Sequence, residues 1–227
     1  MEIIYHTAEI VKNILELEHV LSRRVPTVEL DFVMSSDGVP IWTHNILPNQ
    51  FKDSGFAREK EQLTLFDVLD LNNHRCKLML DFKYIPKRIQ DSIKFYELLG
   101  SLNKYDEMQI QSLDLSLVER LKNSSYSNIE TGLIINVLTK GYINKKKKLP
   151  DVDFLSISSE LWEKRNGAYI EKCSNLYPNT KKYAWTWSTR IEDEERINNF
   201  IDKNADGIIT SNPKLVKTLI NHNNLKN

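Results

Sequence analysis

Hydrophobic positions along the chain follow two alternating rhythms. Short apolar runs of β character occur at residues 2–6, 27–34, 77–83, 107–113, 131–138, 153–159, 181–188 and 206–210. Between them lie stretches whose apolar residues recur at helical spacing. The clearest is 8–24, with Ile10, Val11, Ile14, Leu15, Leu17 and Leu21 in period. Others fall near 87–101, 114–123, 160–176 and 190–204, and a last one starts at Pro213, a residue suited to a helical first turn. Regular strand–helix alternation predicts an α/β protein with a parallel sheet. Eight such units in 227 residues predict one compact domain, residues 1–227, folded as a (β/α)8 TIM-type barrel. An open doubly wound sheet is the alternative, but no glycine-rich phosphate loop follows the first strand.

Several polar residues interrupt the apolar strands. Glu29 and Asp31 lie two apart in "TVELDFVM", and Asp81 and Lys83 lie two apart in "KLMLDFK". Strand side chains alternate, so each pair shares a face. His6 ends the first strand. Trp185 and Trp187 share a face near the end of the seventh, and a turn signal at Ser35–Gly38 leads to a run ending Trp42-Thr43-His44. The C-terminal rim of barrel strands is where chemistry sits in this fold. Placed there, these residues form a cup of three carboxylates, two histidines, a lysine and a tryptophan. Three converging carboxylates repel one another without a cation, and oxygen-only ligands suit Mg²⁺ or Ca²⁺. Two histidines beside a metal-bound phosphate can serve as general base and general acid, and a lysine can offset phosphoryl charge. Each pair alone also fits a structural ion pair; their joint placement at strand ends favours chemistry. His19, His74 and His222 fall outside the pattern and are expected at the surface.

Composition narrows the partners. Lys+Arg and Asp+Glu each number 31, so the net charge is zero, which argues against nucleic-acid binding by bulk electrostatics. The 41% hydrophobic content is that of an ordinary globular protein. No apolar run is long enough for a membrane span, and the N-terminus lacks a signal-peptide pattern. Two cysteines without metal-type spacing, Cys76 and Cys173, suit free thiols in the cytoplasm. The run Lys145, Lys146, Lys147, Lys148 follows the fifth strand and reads as a solvated loop or as a contact for an anionic substrate or membrane surface.

The ordered set His6, Glu29-Leu-Asp31, Asp37-Gly38, His44 and Asp81-Phe-Lys83 resembles the glycerophosphodiester phosphodiesterases, within the phosphatidylinositol-phospholipase-C-like superfamily. "LTLFDVLD" (63–70) is similar to the helix ahead of that family's third strand, "QIQSL" (109–113) to its fourth-strand motif, "YAWTW" to its tryptophan strand and "NADGIITSNP" (204–213) to its closing segment. The resemblance implies Glu29, Asp31 and Asp81 as ligands of one divalent cation, Mg²⁺ or Ca²⁺. It implies His6 and His44 as the acid–base pair, Lys83 as a phosphate contact, and Trp185 and Gln111 on the substrate side. The implied activity is metal-dependent cleavage of a small glycerophosphodiester-like substrate, a hydrolase reaction of lipid metabolism. The chain departs from the family at several points. Thr7-Ala8 replaces the usual Arg-Gly after the first histidine, Asp81 stands where Glu is commoner, Asn45 follows His44, and Ser211 replaces an aspartate. A phosphodiester lyase releasing a cyclic phosphate, or a non-catalytic binding protein on the same barrel, remain alternatives.

Overall fold

The structure, a computed structural model, describes residues 1–7, 13–22, 25–43, 62–105, 108–124, 129–144, 150–163, 167–186 and 193–224. Its strands are β1 (Glu2–His6), β2 (Thr27–Met34), β3 (Pro40–Trp42), β4 (Lys77–Tyr84), β5 (Met108–Ser112), β6 (Ile129–Ile135), β7 (Phe154–Ser158), β8 (Lys181–Trp185) and β9 (Gly207–Thr210). Eight of them pair in parallel in the order β1-β9-β8-β7-β6-β5-β4-β2, and β1 pairs with β2 to close the barrel. The short strand β3 is an antiparallel addition beside the end of β2, opposite Phe32, Val33 and Met34. The turn between them is held by Ser35, whose hydroxyl donates to Val39 O at 2.6 Å, and by Gly38 at φ 86°, a value that favours glycine.

The helices fill the connections: α1 (Ile14–Ser22), α2 (Leu65–Asn72), α3 (Lys87–Gln90), α4 (Ile93–Leu102), α5 (Leu115–Asn123), α6 (Gly141–Asn144), α7 (Ser159–Glu163), α8 (Ala168–Leu176), α9 (Glu194–Asp202) and α10 (Pro213–Asn224). Local chemistry sets several starts. Thr64 and Asp67 form a reciprocal capping box at α2, and the carboxylates of Asp114 and Asp193 accept backbone N–H groups at α5 and α9. The outward faces of the strands and the inner faces of the helices make two large apolar layers, one around Leu30, Leu80 and Leu99 and one around Leu155, Trp162 and Phe200.

Three sequence expectations are corrected. The fifth barrel strand is Ile129–Ile135 rather than 131–138, because the Asn136 side chain accepts the N–H groups of Leu138 and Thr139 and bends the chain into a turn. The stretch 87–101 holds two helices, since Ser92 caps a new helix at α4. The stretch 160–176 also holds two, α7 and α8, with Gly167 at φ 89° opening the second. Of the helix expected at 8–24, the described part is α1.

The barrel interior is stacked in layers. At the N-terminal end Glu2, Thr27, Lys77, Gln109, Glu130, Lys181 and Tyr183 form one hydrogen-bonded network. Glu130 receives Lys77 at 2.8 Å, Lys181 at 3.0 Å and Gln109 at 2.6 Å, and Glu2 receives the Tyr183 hydroxyl at 2.8 Å and Thr27 at 3.1 Å. Above it lies a small apolar layer of Ile4, Met79, Phe154, Tyr183 and Ile209. Gly132 makes room for the Phe154 ring, because a Cβ there would sit 2.0 Å from Phe154 Cε2. The β2–β4 ladder carries one irregularity: Phe32 faces Phe82 but Val33 faces Tyr84, so Lys83 is an extra residue without a partner on β2.

Candidate metal and catalytic site

Above the apolar layer, at the C-terminal end of the barrel, the interior turns polar again. Alternation sends Glu29 and Asp31 of β2 inward, and the ladder sets Asp31 directly beside Asp81 of β4. One carboxylate oxygen from each of Glu29, Asp31 and Asp81 lies within 4.8 Å of the others, and all three residues are buried. Lys83 reaches back from the irregular end of β4, with Nζ 2.7 Å from Asp31 Oδ1 and 2.5 Å from Asp81 Oδ2. His6, the last residue of β1, is paired in register with Glu29, and its Nε2 stands 3.5 Å from Glu29 Oε2. Thr7 donates its hydroxyl to Glu29 O at 2.9 Å, which ties the end of β1 to β2.

The electrostatics are those of crowded buried acids. Burial pushes the Asp81 carboxyl up to about 6, against the pull of Lys83. Burial and then the charge of Asp31 hold the Glu29 carboxyl well above the usual carboxylate range. Burial alone would lower the Lys83 ammonium, but Asp31 and Asp81 together hold it well above the ordinary lysine range. Asp81 Oδ1 is buried and meets no hydrogen-bond donor among the described residues, and the buried Glu29 Oε2 has the His6 ring nitrogen at 3.5 Å. Such oxygens are costly unless something cationic or proton-bearing reaches them. Three carboxylates against one ammonium leave two formal negative charges. The donor set is hard oxygen only, so the residues fit a divalent cation of the Mg²⁺ or Ca²⁺ type and not a soft, thiolate-preferring metal.

The opposite wall is made by β5, β7 and β8. Gln111, buried on β5 beside Asp81 in register, accepts the Ser156 hydroxyl at 2.5 Å. Trp185, half-buried at the end of β8, donates its indole N–H to Ser156 O at 3.1 Å. Ser158, beside Trp185 in register, is fully buried, and its hydroxyl meets no partner among the described residues. The structure thus brings together Glu29, Asp31, Asp81, Lys83 and His6, with Gln111 and Trp185 on strand positions beside or across from them. His44, Trp187 and Lys145–Lys148 lie outside the described residues, while His19, His74 and His222 are exposed. Sequence reasoning missed Ser156, Ser158 and Thr7. The "SIS" spacing in β7 repeats the alternation that flagged Glu29 and Asp31, but serines carry no charge to draw notice. A separate cavity of about 430 Å³ near Leu69, His74, Tyr105 and Met108 adjoins the N-terminal end of β4, remote from the carboxylates.

No family model matches the sequence, and no curated protein sequence matches it either. Solved structures do match along nearly the whole chain. A phosphodiesterase of Oleispira antarctica, solved in complex with the product sn-glycerol-3-phosphate, superposes with a TM-score of 0.70 at 15% identity, covering 97% of each chain. A glycerophosphodiester phosphodiesterase of Thermotoga maritima gives 0.68 at 18% identity, covering 96% of this chain and 97% of that one. One from Parabacteroides distasonis gives 0.68 at 14%, covering 98% of each. At these identities the likeness is one of fold, a closed eight-stranded barrel of matching size.

Proposed function

We propose that this barrel is a metal-dependent phosphodiesterase that cleaves a small glycerophosphodiester-like substrate. The observation that carries the reading is the buried cluster of Glu29, Asp31 and Asp81 at the C-terminal end of a barrel. Its likeness, over nearly the full length, to structures of glycerophosphodiester phosphodiesterases supports it. The three carboxylates would hold one divalent cation, Mg²⁺ or Ca²⁺. When bound, that cation supplies Lewis-acid polarisation of a phosphoryl oxygen.

The chain's own groups supply the rest. His6 and His44 form the proposed acid–base pair: one removes the proton of the attacking hydroxyl, and the other protonates the leaving alcohol oxygen. For His6 the working atom is Nε2, whose neighbour Glu29 stabilises the protonated ring. Lys83 has three N–H donors and its side chain is 31% exposed, so a donor remains for a phosphoryl oxygen. Trp185 forms an apolar wall for the alcohol portion. Gln111, whose carbonyl oxygen is taken by Ser156, offers its amide N–H groups to a substrate oxygen.

The compartment and surface belong to the same proposal. Cys76 and Cys173 are free thiols, which supports a reducing cytoplasm. Burial pushes them up to about 11 and about 12, so neither is poised for thiol chemistry. No helix among the described residues is long and apolar enough to cross a membrane. Exposed Val137 and Leu138, on the turn after β6, support contact of the following Lys145–Lys148 run with an anionic membrane surface; liposome flotation with and without anionic lipid tests it. Zero net charge supports no nucleic-acid partner.

The deciding experiment incubates the protein with glycerophosphocholine, glycerophosphoethanolamine, lysophospholipids and cyclic nucleotides, each with Mg²⁺, Ca²⁺ or Mn²⁺. Turnover of a glycerophosphodiester that EDTA abolishes is expected. Phosphorus NMR of the product separates a monoester from a cyclic phosphate. Cation binding without turnover on the whole panel would replace the enzyme reading with a binding protein.

A further inference from the structure

We propose that Lys83 is the internal counter-ion of the carboxylate cluster, holding Asp31 and Asp81 together when no divalent cation is bound and weakening the affinity with which one binds. The inference deepens the reading of this site as a cation site.

Three observations carry it. The ammonium does not serve one partner but bridges two strands, at 2.7 Å from Asp31 Oδ1 and 2.5 Å from Asp81 Oδ2. Asp31 and Asp81 face each other in register, so a single group between them neutralises both edges of the β2–β4 ladder. Finally, the ladder breaks at the residue that carries it. Lys83 is the extra residue of the irregularity between Phe32 and Val33, and bulges of this kind re-aim a side chain.

The arrangement also divides the oxygens. Lys83 takes Asp81 Oδ2 and leaves Asp81 Oδ1 buried without a donor among the described residues. The cluster therefore has an inner side that a divalent cation can use and an outer side already bound to an ammonium. Both cations draw on the same carboxylate charge and repel each other across a few ångströms of a buried site, where Coulomb effects are strong. Removing the ammonium should leave the cation-free cluster strained by its own repulsion and let a divalent cation bind more tightly. A lysine that acted only on substrate phosphate would do neither.

The test uses the full chain and four variants: Lys83→Met, Lys83→Arg, Asp81→Asn and the double variant Asp81→Asn/Lys83→Met. Melting is followed in EDTA, and binding of Ca²⁺ or Mg²⁺ alone by calorimetry. Lys83→Met should melt at least about 5 °C below the parent in EDTA, the size expected when one partner of a buried ion pair is removed. Adding Asp81→Asn should recover at least half of that loss, and Lys83→Arg should stay near the parent. Ca²⁺ or Mg²⁺ should bind Lys83→Met about tenfold more tightly. If Lys83→Met fails to fold, the double variant should fold; an unfolded double variant overturns the proposal. So does an unchanged melt in EDTA, a loss that Asp81→Asn does not recover, or cation affinity that is unchanged or weaker. If the parent binds no cation, the cation-site reading falls, while the EDTA melts and their coupling to Asp81 still decide the role of Lys83.

Discussion

Asp31 and Asp81 stand side by side on adjacent parallel strands and share one ammonium, that of Lys83. Two carboxylates at neighbouring ladder positions repel each other in any protein. Here Glu29 adds a third, and all three are buried. Lys83 offsets only part of that repulsion, and the energetics of the cluster give the first predictions.

Asp81→Asn should leave the cation-free protein as stable as the parent or more so. The change is nearly isosteric, and it removes a charge that burial disfavours, as its carboxyl pushed up to about 6 indicates. Lys83 keeps Asp31 as a partner. With excess Mg²⁺ or Ca²⁺ the order should reverse. The parent then gains the binding term, about 2.7 kcal/mol at a hundredfold excess over its dissociation constant, which the variant gains only in part. Melts in EDTA and in cation check this. A variant far below the parent in EDTA, with equal cation shifts in both, would make Asp81 a structural ion-pair partner instead.

Stability in EDTA should fall as pH rises from about 4 to about 6. An acid whose folded pKa is raised binds its proton more tightly in the folded state, so folding is favoured below the unfolded value near 3.8 and that advantage is lost as pH climbs to about 6. For Asp81 the loss is on the order of 3 kcal/mol, and Glu29, raised for the same reason, acts in the same direction. Glu130 acts oppositely. Lys77, Gln109 and Lys181 overcome its partial burial and hold its carboxyl down to about 2, so its contribution disappears as pH falls from 4.5 toward 2. Melting temperature against pH in EDTA should therefore peak near pH 4, and Asp81→Asn should flatten the descending side.

His6→Ala should lower turnover by about 10²–10⁴-fold, the range for loss of a general acid or base, with little change in cation affinity. His44→Ala should do the same. Rates on the best glycerophosphodiester of the panel, measured beside cation titrations, check both. Full activity in either variant removes that histidine from the mechanism.

Gly132→Ala should destabilise the barrel by about 3 kcal/mol, at the upper end of ordinary overpacking, because the new methyl would overlap the Phe154 ring. Adding Phe154→Leu should restore part of the loss. Denaturant unfolding of the single and double variants measures the coupling.

Glu130→Gln tests the other end of the barrel. It weakens contacts to Lys77 and Lys181. Both partners keep solvent access, so the cost should be only about 1–2 kcal/mol. Turnover per folded molecule should not change, since the N-terminal end of such barrels serves stability. A large fall in turnover, measured beside denaturant unfolding, would contradict that division of labour.

The alternation of apolar runs was enough to read the barrel, because eight strands buried on both faces leave near-continuous hydrophobic segments. The polar exceptions in β2 and β4 were legible for the same reason: carboxylates stand out in runs that are otherwise apolar. The end of β6 was not legible, since Val137 and Leu138 look like strand while Asn136 decides the turn. Nor was the network of Glu2, Lys77, Glu130 and Lys181, whose members come from four strands and meet only on closure. The pairing of Asp31 with Asp81 is a fact of register, and register is set by packing between segments far apart in the chain.

The irregular end of β4 couples chain length to the placement of a charge. From Thr27 to Val33 the ladder uses seven residues of β2, and from Lys77 to Tyr84 it uses eight of β4. Deleting position 83 would make the two strands commensurate and give a more regular sheet, yet it would take away the ammonium between the aspartates. Inserting one residue would keep the ammonium but carry it round to the other face. The strand is thus tuned by a count as well as by a composition, and a lineage that drifted by a single codon there would have exchanged the ammonium between its aspartates for a tidier barrel.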